Sequence, residues 1–429
     1  MSNVTARPVG AALLGLLPLL VPGASAQTTE TLAVFTVEPG ATRTNALVSA
    51  SLEGLTLQPQ NGALQIVELI GDERIPRPAQ LESGANPRIW WVLDGTTTTP
   101  RSFELRTGTP TQGVASAGAV AAEDDGESLT LRVRGKDVLR YQYGMLTPPA
   151  GASRLYGRSG FIHPLWSPAG AVLTRIQPPD HYHHVGIWNP WTHTEFEGRE
   201  IDFWNLHGGT GTVRFKAFIS KVVGDVYAGF RAVHEHVDLN APDPSGAKVA
   251  LNEEWDVRAW NVGPDAKVWV IDFVSTLSPA TASPLTIQKY RYQGFGFRAV
   301  AEWNDENSRL LTSEGKDKSD GNATRARWCD VRGPTAAGTS GILFMTHPGN
   351  FDYPERLRIW PTGQNDGVEN VFFNFNPTQD RDWMLEPGNA YTLRYRMLVY
   401  DGELTSEQAE AHWYDFAHPP HATKLRSEK

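Results

Sequence analysis

The sequence lacks the features that mark several large classes of protein. Its 429 residues include one cysteine, Cys329, so no disulfide can form within the chain. Positive charge is in deficit, with 39 Lys and Arg against 48 Asp and Glu and a net charge of −9. This balance disfavours nucleic acid or an anionic membrane surface as a partner. Strand-like runs do not alternate with helices, which argues against a TIM barrel or a Rossmann fold.

Long apolar runs are also lacking, apart from one near the start. Ala11 to Val21 follows the basic Arg7 and precedes Ala24-Ser25-Ala26, a small-x-small cleavage pattern. This run is shorter than the roughly 20 residues needed to span a bilayer. We therefore expect an export signal over residues 1–26, with a retained membrane anchor as the alternative. The mature protein should be periplasmic or extracellular and not inserted in a membrane.

Signals for β-structure dominate the rest of the chain. The 40 glycines and 30 prolines punctuate many short runs rich in Val, Thr, Phe, Tyr and Trp. In "KVWVIDF" the residues Trp269, Ile271 and Phe273 share one face of a strand, and the residues between them share the other. One helix is predicted, because Thr405 and Gln408 fit a capping box before "SEQAEAHWYDFA".

These signals predict an all-β protein built around a large antiparallel β-sandwich. We expect a smaller N-terminal β-sandwich over residues 27–135 and the large sandwich, carrying the sugar-binding or catalytic site, over 136–402. A short C-terminal helix and a frayed tail should occupy 403–429. Long antiparallel strands are typical of such sandwiches.

Histidine is concentrated in a small part of the chain. Six of the 12 histidines fall between residues 163 and 207, and "QPPDHYHHVGIW", residues 177–188, carries three of them within four positions. Pro178 and Pro179 cannot donate to a β-ladder, so they end the preceding strand. "DHYHH" is therefore predicted to lie at the rim of a sheet, where reactive side chains are usually displayed.

Three interpretations of this cluster are open. In an extended backbone, His181 and His183 would face one way and Tyr182 and His184 the other. Two histidines on one face are candidate ligands for a divalent metal, although no cofactor is firmly predicted. One imidazole could instead move a proton near neutral pH, oriented by Asp180. Hydrogen bonding within the loop is the third interpretation.

Tryptophans accompany the histidines. Trp166, Trp188, Trp191 and Trp204 are four of the 14 tryptophans in the chain. Indole faces stack on the C–H faces of pyranose rings, so aromatic residues beside acids and histidines suit a sugar cleft. Filling the inner face of a broad sandwich is the alternative role for each of them.

Several separated motifs carry a resemblance to a known family. "GFIHPLWSPAGAVLT", "PPDHYHHVGIW", "EIDFWN", "YQGFGFRA", "TRARWCDVRG", "MTHPGN" and "LEPGNAYTLRYRMLVYDG" resemble, in that order, the exported bacterial proteins called PmoA-like and labelled methane oxygenase. The resemblance runs from about residue 150 to 402. The family pattern D-H-x-H-H-x-G-[LIV]-W falls on Asp180, His181, His183, His184, Gly186 and Trp188. One departure is Val185, where many relatives carry Arg.

The resemblance implies a fold and a class of substrate. The family is similar to the galactose mutarotase-like supersandwich group, which includes sugar epimerases and the sandwich domains of polysaccharide lyases and some glycosidases. It therefore implies a carbohydrate substrate without fixing the reaction. The methane oxygenase label fits poorly, because a particulate methane oxygenase subunit is an integral membrane protein and this chain has no spanning segment after its signal.

We therefore expect an exported carbohydrate-active enzyme that uses histidine-centred acid/base chemistry, as a glycoside hydrolase, polysaccharide lyase or epimerase. His183 and His184 are the candidates for proton transfer, with His181 and Asp180 orienting them. His181 and His183 are also the candidate metal ligands. The expected distant catalytic residues are His347 and Asp330, and the expected substrate-binding residues are Arg175, Trp188, Trp191 and Tyr292.

Two other functions are open. A non-catalytic glycan-binding module would need exposed aromatic residues but no reactive histidine. Metal-dependent oxidation at the histidines is the other, and it would agree with the methane oxygenase label. Glycosidases usually use a pair of carboxylates, and the sequence does not select a pair from among Asp202, Glu302, Asp330 and Glu369.

Overall fold

The structure is a computed structural model, and it describes residues 1, 30–40, 44–55, 63–96, 98–108, 119–244, 246–263 and 267–425. The expected export signal lies outside the described residues. Among the described residues, no helix is both long and apolar enough to cross a bilayer.

The described chain is built from strands and one α-helix. The strands of the first half are β1 (Thr31–Val37), β2 (Thr44–Ser51), β3 (Ala63–Ile70), β4 (Glu73–Arg77), β5 (Ala79–Glu82), β6 (Arg88–Thr96), β7 (Arg101–Gly108), β8 (Val120–Asp124), β9 (Ser128–Val133), β10 (Lys136–Gln142), β11 (Phe161–Leu165), β12 (Ile187–Trp188), β13 (Thr194–Phe196) and β14 (Arg199–Ile201). Those of the second half are β15 (Gly211–Val223), β16 (Tyr227–Asp238), β17 (Lys248–Trp260), β18 (Val268–Pro279), β19 (Leu285–Ile287), β20 (Gly296–Arg298), β21 (Arg309–Thr312), β22 (Trp328–Thr335), β23 (Gly338–Thr346), β24 (Arg356–Ile359), β25 (Phe372–Asn376), β26 (Trp383–Leu385), β27 (Tyr391–Asp401) and β28 (Ala422–Leu425), with α1 at Ser406–Ala417.

Two eight-stranded antiparallel sheets form the main body. The first large sheet has the order β24-β25-β20-β12-β11-β10-β9-β8, and the second has the order β15-β16-β17-β18-β27-β23-β22-β21. Apolar side chains from both sheets meet in one core, among them Ile187 and Phe297 from the first and Trp255 and Phe273 from the second. The expected all-β sandwich is confirmed. A four-stranded sheet, β14-β13-β19-β26, lies beside this body.

A smaller sandwich precedes the main body. The sheets β28-β1-β7-β3-β4 and β2-β6-β5 enclose a separate core that includes Phe35, Val48, Trp91 and Phe103. β8 and β9 belong to the first large sheet, where β9 pairs with β10. The predicted boundary at residue 135 therefore falls in the turn of a paired hairpin, and the change of sandwich lies earlier, between β7 and β8.

Local sequence signals account for several elements. Along β18 the side chains of Trp269, Ile271 and Phe273 are buried and their neighbours are less so, as the alternation predicts. Thr405 and Gln408 form the predicted capping box at the start of α1. The tail differs from the prediction, because β28 pairs with β1 and forms the edge of that sheet instead of fraying.

Candidate functional site

The histidine loop, which we define as residues 178–184, folds into two successive turns. The backbone nitrogen of His181 donates to the carbonyl of Pro178 at 2.9 Å, and that of His184 donates to the carbonyl of His181 at 3.0 Å. A backbone bridge between Ile176 and Val185 closes the loop. The loop is therefore not extended, and the arrangement that an extended backbone would give, with His184 facing away from the other two, does not form. The turns bring all three imidazoles together.

Gly186 explains why the motif ends in glycine. Its φ is +69°, and an added Cβ would lie 2.3 Å from the carbonyl oxygen of Ile162. A side chain at this position would therefore meet both backbone strain and a steric clash. Glycine lets the chain leave the loop and enter β12 directly beside β11.

The loop covers the outer face of the first large sheet. Successive residues in a strand point to opposite faces, and Ile162, Ile187, Phe297 and Phe373 point into the core between the sheets. The residues next to these in sequence, Phe161, Trp188 and Phe372, therefore point to the outer face. There they form an apolar cluster under the loop together with Val185, Trp204 and Trp360.

The three imidazole rings are in mutual contact. The ring of His184 stacks on that of His181, with 4.7 Å between centroids, and the ring of His183 meets that of His184 edge-on at 4.7 Å. One nitrogen from each ring can be chosen so that all three lie within 4.8 Å of one another. On its other face His184 stacks on Phe372 at 4.9 Å, which holds the cluster against the sheet.

Asp180 anchors the cluster to distant parts of the chain. Its Oδ2 accepts from Nδ1 of His181 at 2.9 Å, from Nη2 of Arg298 at 2.8 Å and from Nδ2 of Asn365 at 2.9 Å. Arg298 is fully buried, and its guanidinium lies 4.4 Å from the ring centroid of Trp360. Burial by itself would raise the pKa of Asp180, but the bonds from His181 and Arg298 hold that pKa well below its usual range. Asp180 is therefore an ionised acceptor that orients His181.

Burial keeps two of the imidazoles neutral. The pKa of His183 falls to about 3, chiefly through burial and then through the charges of His181, His207 and Arg158. Burial also lowers the pKa of His184 well below its usual value, with help from the neighbouring charges of His183 and Arg298. Both rings are therefore neutral and can bind a metal through a free nitrogen, but their low pKa makes them poor proton acceptors, and neither is an imidazolium acid at neutral pH. His181, the histidine that Asp180 bonds, has 29% of its side chain exposed, whereas His184 is buried.

Two of the predicted substrate-binding tryptophans lie in the interior. Trp188 is fully buried, 5.2 Å from the ring of His184, and forms the floor beneath the histidine loop. Trp191 is also fully buried and packs on Trp383 in the core. Neither offers an indole face to a sugar, because Trp188, on β12, and Trp191, in the loop after it, both point into packed layers.

The other two predicted substrate-binding residues do lie at the site. Arg175 pairs with Glu369 at 2.7 Å, and its charge is among those that lower the pKa of His184. Tyr292 is half-buried, contacts Trp204 with 5.1 Å between ring centroids, and donates from its hydroxyl to Asn205 at 3.2 Å. Both therefore border the histidine loop.

The predicted distant catalytic residues lie elsewhere. Asp330, on β22, accepts from the hydroxyl of Tyr400 at 2.5 Å, and burial raises its pKa to about 6. His347 follows β23 and packs on Phe416 of α1 at 5.4 Å. Both belong to the second large sheet, on the side that packs against α1. The two sheets therefore separate them from the histidine loop, and their predicted catalytic role is not supported.

Sequence reasoning missed several residues that complete the site. Arg298 and Asn365 bind Asp180, and Trp360 packs 4.8 Å from the ring of His181. Arg298 lies in "YQGFGFRA", one of the motifs that carried the family resemblance. That motif was the available signal for this residue, and we found no comparable signal for the other two.

A second polar cluster lies between the two large sheets. Glu253 accepts from His236 at 2.9 Å, from Asn189 at 2.7 Å and from Ser275 at 2.6 Å. Tyr141 and His234 form a hydrogen bond of 2.5 Å beside it. We call these residues the Glu253 network; all are buried. Burial would raise the pKa of Glu253, but its bond to His236 and nearby charges lower it to about 2, so its carboxylate is ionised.

Comparisons with known proteins place the chain in a family. No curated protein matches it. Among solved structures it is similar to a GH36 α-galactosidase from Geobacillus stearothermophilus in complex with raffinose, at 11% identity and a TM-score of 0.32, covering 68% of this chain and 42% of that one. The chain thus spans less than half of the galactosidase, and a similarity this low carries no argument. A family model matches residues 128–414, well over half of the chain. The protein therefore belongs to the family of unknown function DUF6807.

Proposed function

We propose that the protein is an exported carbohydrate-active enzyme that transfers a proton at a sugar ring, with His181 as its acid/base residue. The observation that carries the proposal is the Asp180–His181 pair beside two neutral imidazoles on the outer face of a sheet. Because Asp180 accepts from Nδ1 of His181, Nε2 is left for a substrate. This differs in detail from the sequence prediction, in which His183 and His184 transferred the proton.

The neighbouring carboxylates favour some reactions over others. Glycosidases use one protonated and one ionised carboxyl group across the cleft. Asp180 pairs with Arg298 at 2.8 Å, and Glu369 pairs with Arg175 at 2.7 Å. An arginine partner favours the ionised form of a carboxyl group and disfavours its use as an acid. The site therefore suits removal of a proton from a ring carbon by imidazole, as in β-elimination or epimerisation, better than glycoside hydrolysis.

The sequence supports the substrate class and the location. The resemblance to PmoA-like proteins, and through them to the mutarotase-like supersandwich group, is consistent with the antiparallel sandwich and with a sugar ligand. The N-terminal run that resembles an export signal supports a periplasmic or extracellular enzyme acting on glycans.

Mass spectrometry of a panel of oligosaccharides incubated with the mature protein tests the proposal. Elimination gives an unsaturated product, and epimerisation gives an isomer of unchanged mass. Either product should form with the wild type and be lost in His181→Gln. A mass gain of one water would indicate hydrolysis and contradict the assignment of His181. Binding of a glycan without any product would instead favour a non-catalytic binding module.

A second candidate function is metal-dependent chemistry, including oxidation, at the three histidines. Their approach to within 4.8 Å and the neutral state of His183 and His184 favour it, because a divalent metal binds deprotonated imidazole. The guanidinium of Arg298, 3.4 Å from Nδ1 of His184, opposes a second cation there. Elemental analysis after incubation with Zn²⁺, Mn²⁺ or Cu²⁺ and dialysis separates the two functions. One equivalent of metal in the wild type and none in His183→Ala would favour the second.

A further inference from the structure

One buried cation beside the histidine loop, Arg158, has no carboxylate partner in the described part of the chain. Arg158 is 1% exposed, and in the described part of the chain only its Nη1 has an acceptor, the carbonyl of Phe203 at 3.5 Å. Its Nε is buried without a hydrogen bond. A buried guanidinium is normally satisfied by a carboxylate that binds its fork of donors. Among the described residues, no carboxylate lies within ion-pair distance of Arg158.

The nearest compensating charge does not fill that role. Glu253 is close enough to affect the pKa of Arg158, which burial lowers to about 10. Its carboxylate oxygens, however, are occupied by His236, Asn189 and Ser275. Arg158 therefore retains unused donors.

Arg158 lies near His183, the histidine of the loop that has no hydrogen bond. Its charge is one of those that lower the pKa of His183. Tyr156, two residues earlier, contacts Tyr182 of the loop with 5.4 Å between ring centroids. His183 has no hydrogen-bond partner among the described residues. An unsatisfied donor and an unsatisfied imidazole therefore share one region of the site.

A basic rim continues from the same site. The guanidinium of Arg291 lies 5.3 Å from the ring centroid of Tyr292, which borders the histidine loop. Lys289, Arg291 and Arg356 line a cavity of about 470 Å³ together with one carboxylate, Asp380, which already pairs with Arg356. The charge of Arg291 also helps burial to lower the pKa of Arg358. The chain as a whole has a net charge of −9, so this local excess of cations is opposite in sign to the overall charge.

We propose that the substrate is an anionic sugar, with Arg158 binding the carboxylate of a uronic acid residue and the Lys289–Arg291 rim receiving the next acidic residue of the glycan. This inference names the substrate class of the proposed function and uses the same site. A carboxylate on the ring also makes the adjacent ring proton more acidic, which suits its transfer to Nε2 of His181. In β-elimination the electron pair of the broken C–H bond forms the C=C bond, and the imidazolium of His181 gives the proton to the departing glycosidic oxygen as its C–O bond breaks.

Paired ligands test the inference directly. Glucuronate, galacturonate and mannuronate, and their tetramers, are titrated by calorimetry against glucose, galactose and mannose and their tetramers, which lack the carboxylate. We expect at least one uronate to bind ten-fold or more tightly than its neutral counterpart, with the difference shrinking as salt rises. Equal binding of every pair, or binding of none, overturns the inference.

Two variants locate the interaction. Arg158→Met removes the charge and keeps much of the volume, and it should abolish the preference for the uronate. Arg158 has no ion-pair partner among the described residues, so the substitution leaves no carboxylate without its partner and removes the cost of a buried charge, and the melting temperature should not fall. Arg291→Gln should weaken binding of the tetramer several-fold and that of the monomer little. Arg74→Gln, an exposed substitution in the N-terminal sandwich, is the control. A retained preference in Arg158→Met, or one lost equally in Arg74→Gln, contradicts the assignment.

The outcome is separable from that of the proposed function. A uronate that binds selectively but is never converted would support Arg158 and contradict catalysis by His181. Conversion of neutral sugars alone would support the catalytic proposal and overturn the anionic substrate. His181→Gln should lose turnover while keeping the ratio of uronate to neutral affinity.

Discussion

The histidine loop and the Glu253 network contain similar residues in opposite settings. Each has histidines hydrogen-bonded to one ionised carboxylate, through His181 and Asp180 in the loop and His236 and Glu253 in the network. The loop lies on the outer face of its sheet with His181 29% exposed. His236 and Glu253 lie between the sheets, and both are fully enclosed. Histidine content alone therefore does not distinguish a reactive site from a structural one.

Accessibility does distinguish the two clusters. Asp180 and Glu253 each accept three internal bonds, which fix both carboxylates in one geometry. Glu253 is fully enclosed, whereas 28% of the Asp180 side chain is exposed. In the loop, Nε2 of His181 and the ring nitrogens of His183 have no internal hydrogen bond among the described residues. They can therefore bond to a substrate. We therefore expect substitutions in the loop to affect activity with little effect on stability, and substitutions in the network to do the reverse.

The largest effect on activity should come from His181. Replacing it by Gln removes the group that exchanges the proton, and general acid–base catalysis by one side chain contributes about 10²–10⁴-fold. We expect turnover of a converted glycan to fall by that factor while the midpoint of urea unfolding stays within error. His193→Gln is the matched control, because His193 is also partly exposed and faces a carboxylate, Glu200. A fall in turnover of less than ten-fold in His181→Gln would remove His181 from the mechanism.

The largest effect on stability should come from the network. Glu253→Ala leaves His236 and Asn189 without their acceptor, and removing one partner of a buried charged pair destabilises a protein by about 3–5 kcal/mol. Urea unfolding followed by tryptophan fluorescence measures the change. Glu254→Ala, one residue along β17, removes only a surface pair with Arg231, so it should lower the free energy of unfolding by less than about 1 kcal/mol. Similar losses in the two variants would show that burial does not separate the clusters.

Local signals predicted much of the fold and the centre of the site. The alternation of β18 and the capping box at Thr405 and Gln408 depend on residues close in sequence, and both are confirmed. The three histidines are neighbours in sequence, so their proximity could also be predicted. Arg298 and Asn365 reach Asp180 from 118 and 185 residues away. A single sequence does not specify such pairings, because they follow from strand order.

The burial of the tryptophans could not be predicted for a related reason. Trp188 and Ile187 are adjacent, and alternation places one on each face of the sheet without stating which face is covered. The histidine loop covers the outer face, so Trp188 is buried as completely as Ile187. Whether an indole on that face meets a sugar or a protein layer depends on the path of the loop over it.

The third prediction concerns pH and His234 of the network. Burial lowers the pKa of His234 to about 3, from 6.5 in the unfolded chain. Between these values the unfolded chain binds a proton that the folded protein does not, so stability is complete above pH 6.5 and falls as the pH is lowered. From pH 7 to pH 5 the loss from this group is roughly 2 kcal/mol. In His234→Gln, the difference between the free energies of unfolding at the two pH values should shrink by that amount. An unchanged difference would show that His234 takes up a proton in the folded protein.

The smallest expected effect on turnover should come from Asn365. It tests whether a residue that contacts Asp180, but not His181, also helps to position His181. Asn365 donates to Asp180 from a left-handed backbone, with φ of 51°, so Asn365→Gly removes the amide without straining the turn. Because this bond is exposed to solvent, its loss is worth about 1 kcal/mol, less than the roughly 1.5–3 kcal/mol typical of hydrogen bonds to charged groups. This predicts a fall in turnover of roughly five-fold. Asp366→Gly has the same backbone conformation, with φ of 55°, and should leave turnover unchanged. If both variants lower turnover equally, the turn positions the substrate and Asn365 does not act through Asp180. If neither does, the bonds from His181 and Arg298 suffice to fix Asp180, and the machinery of the loop is confined to those three residues.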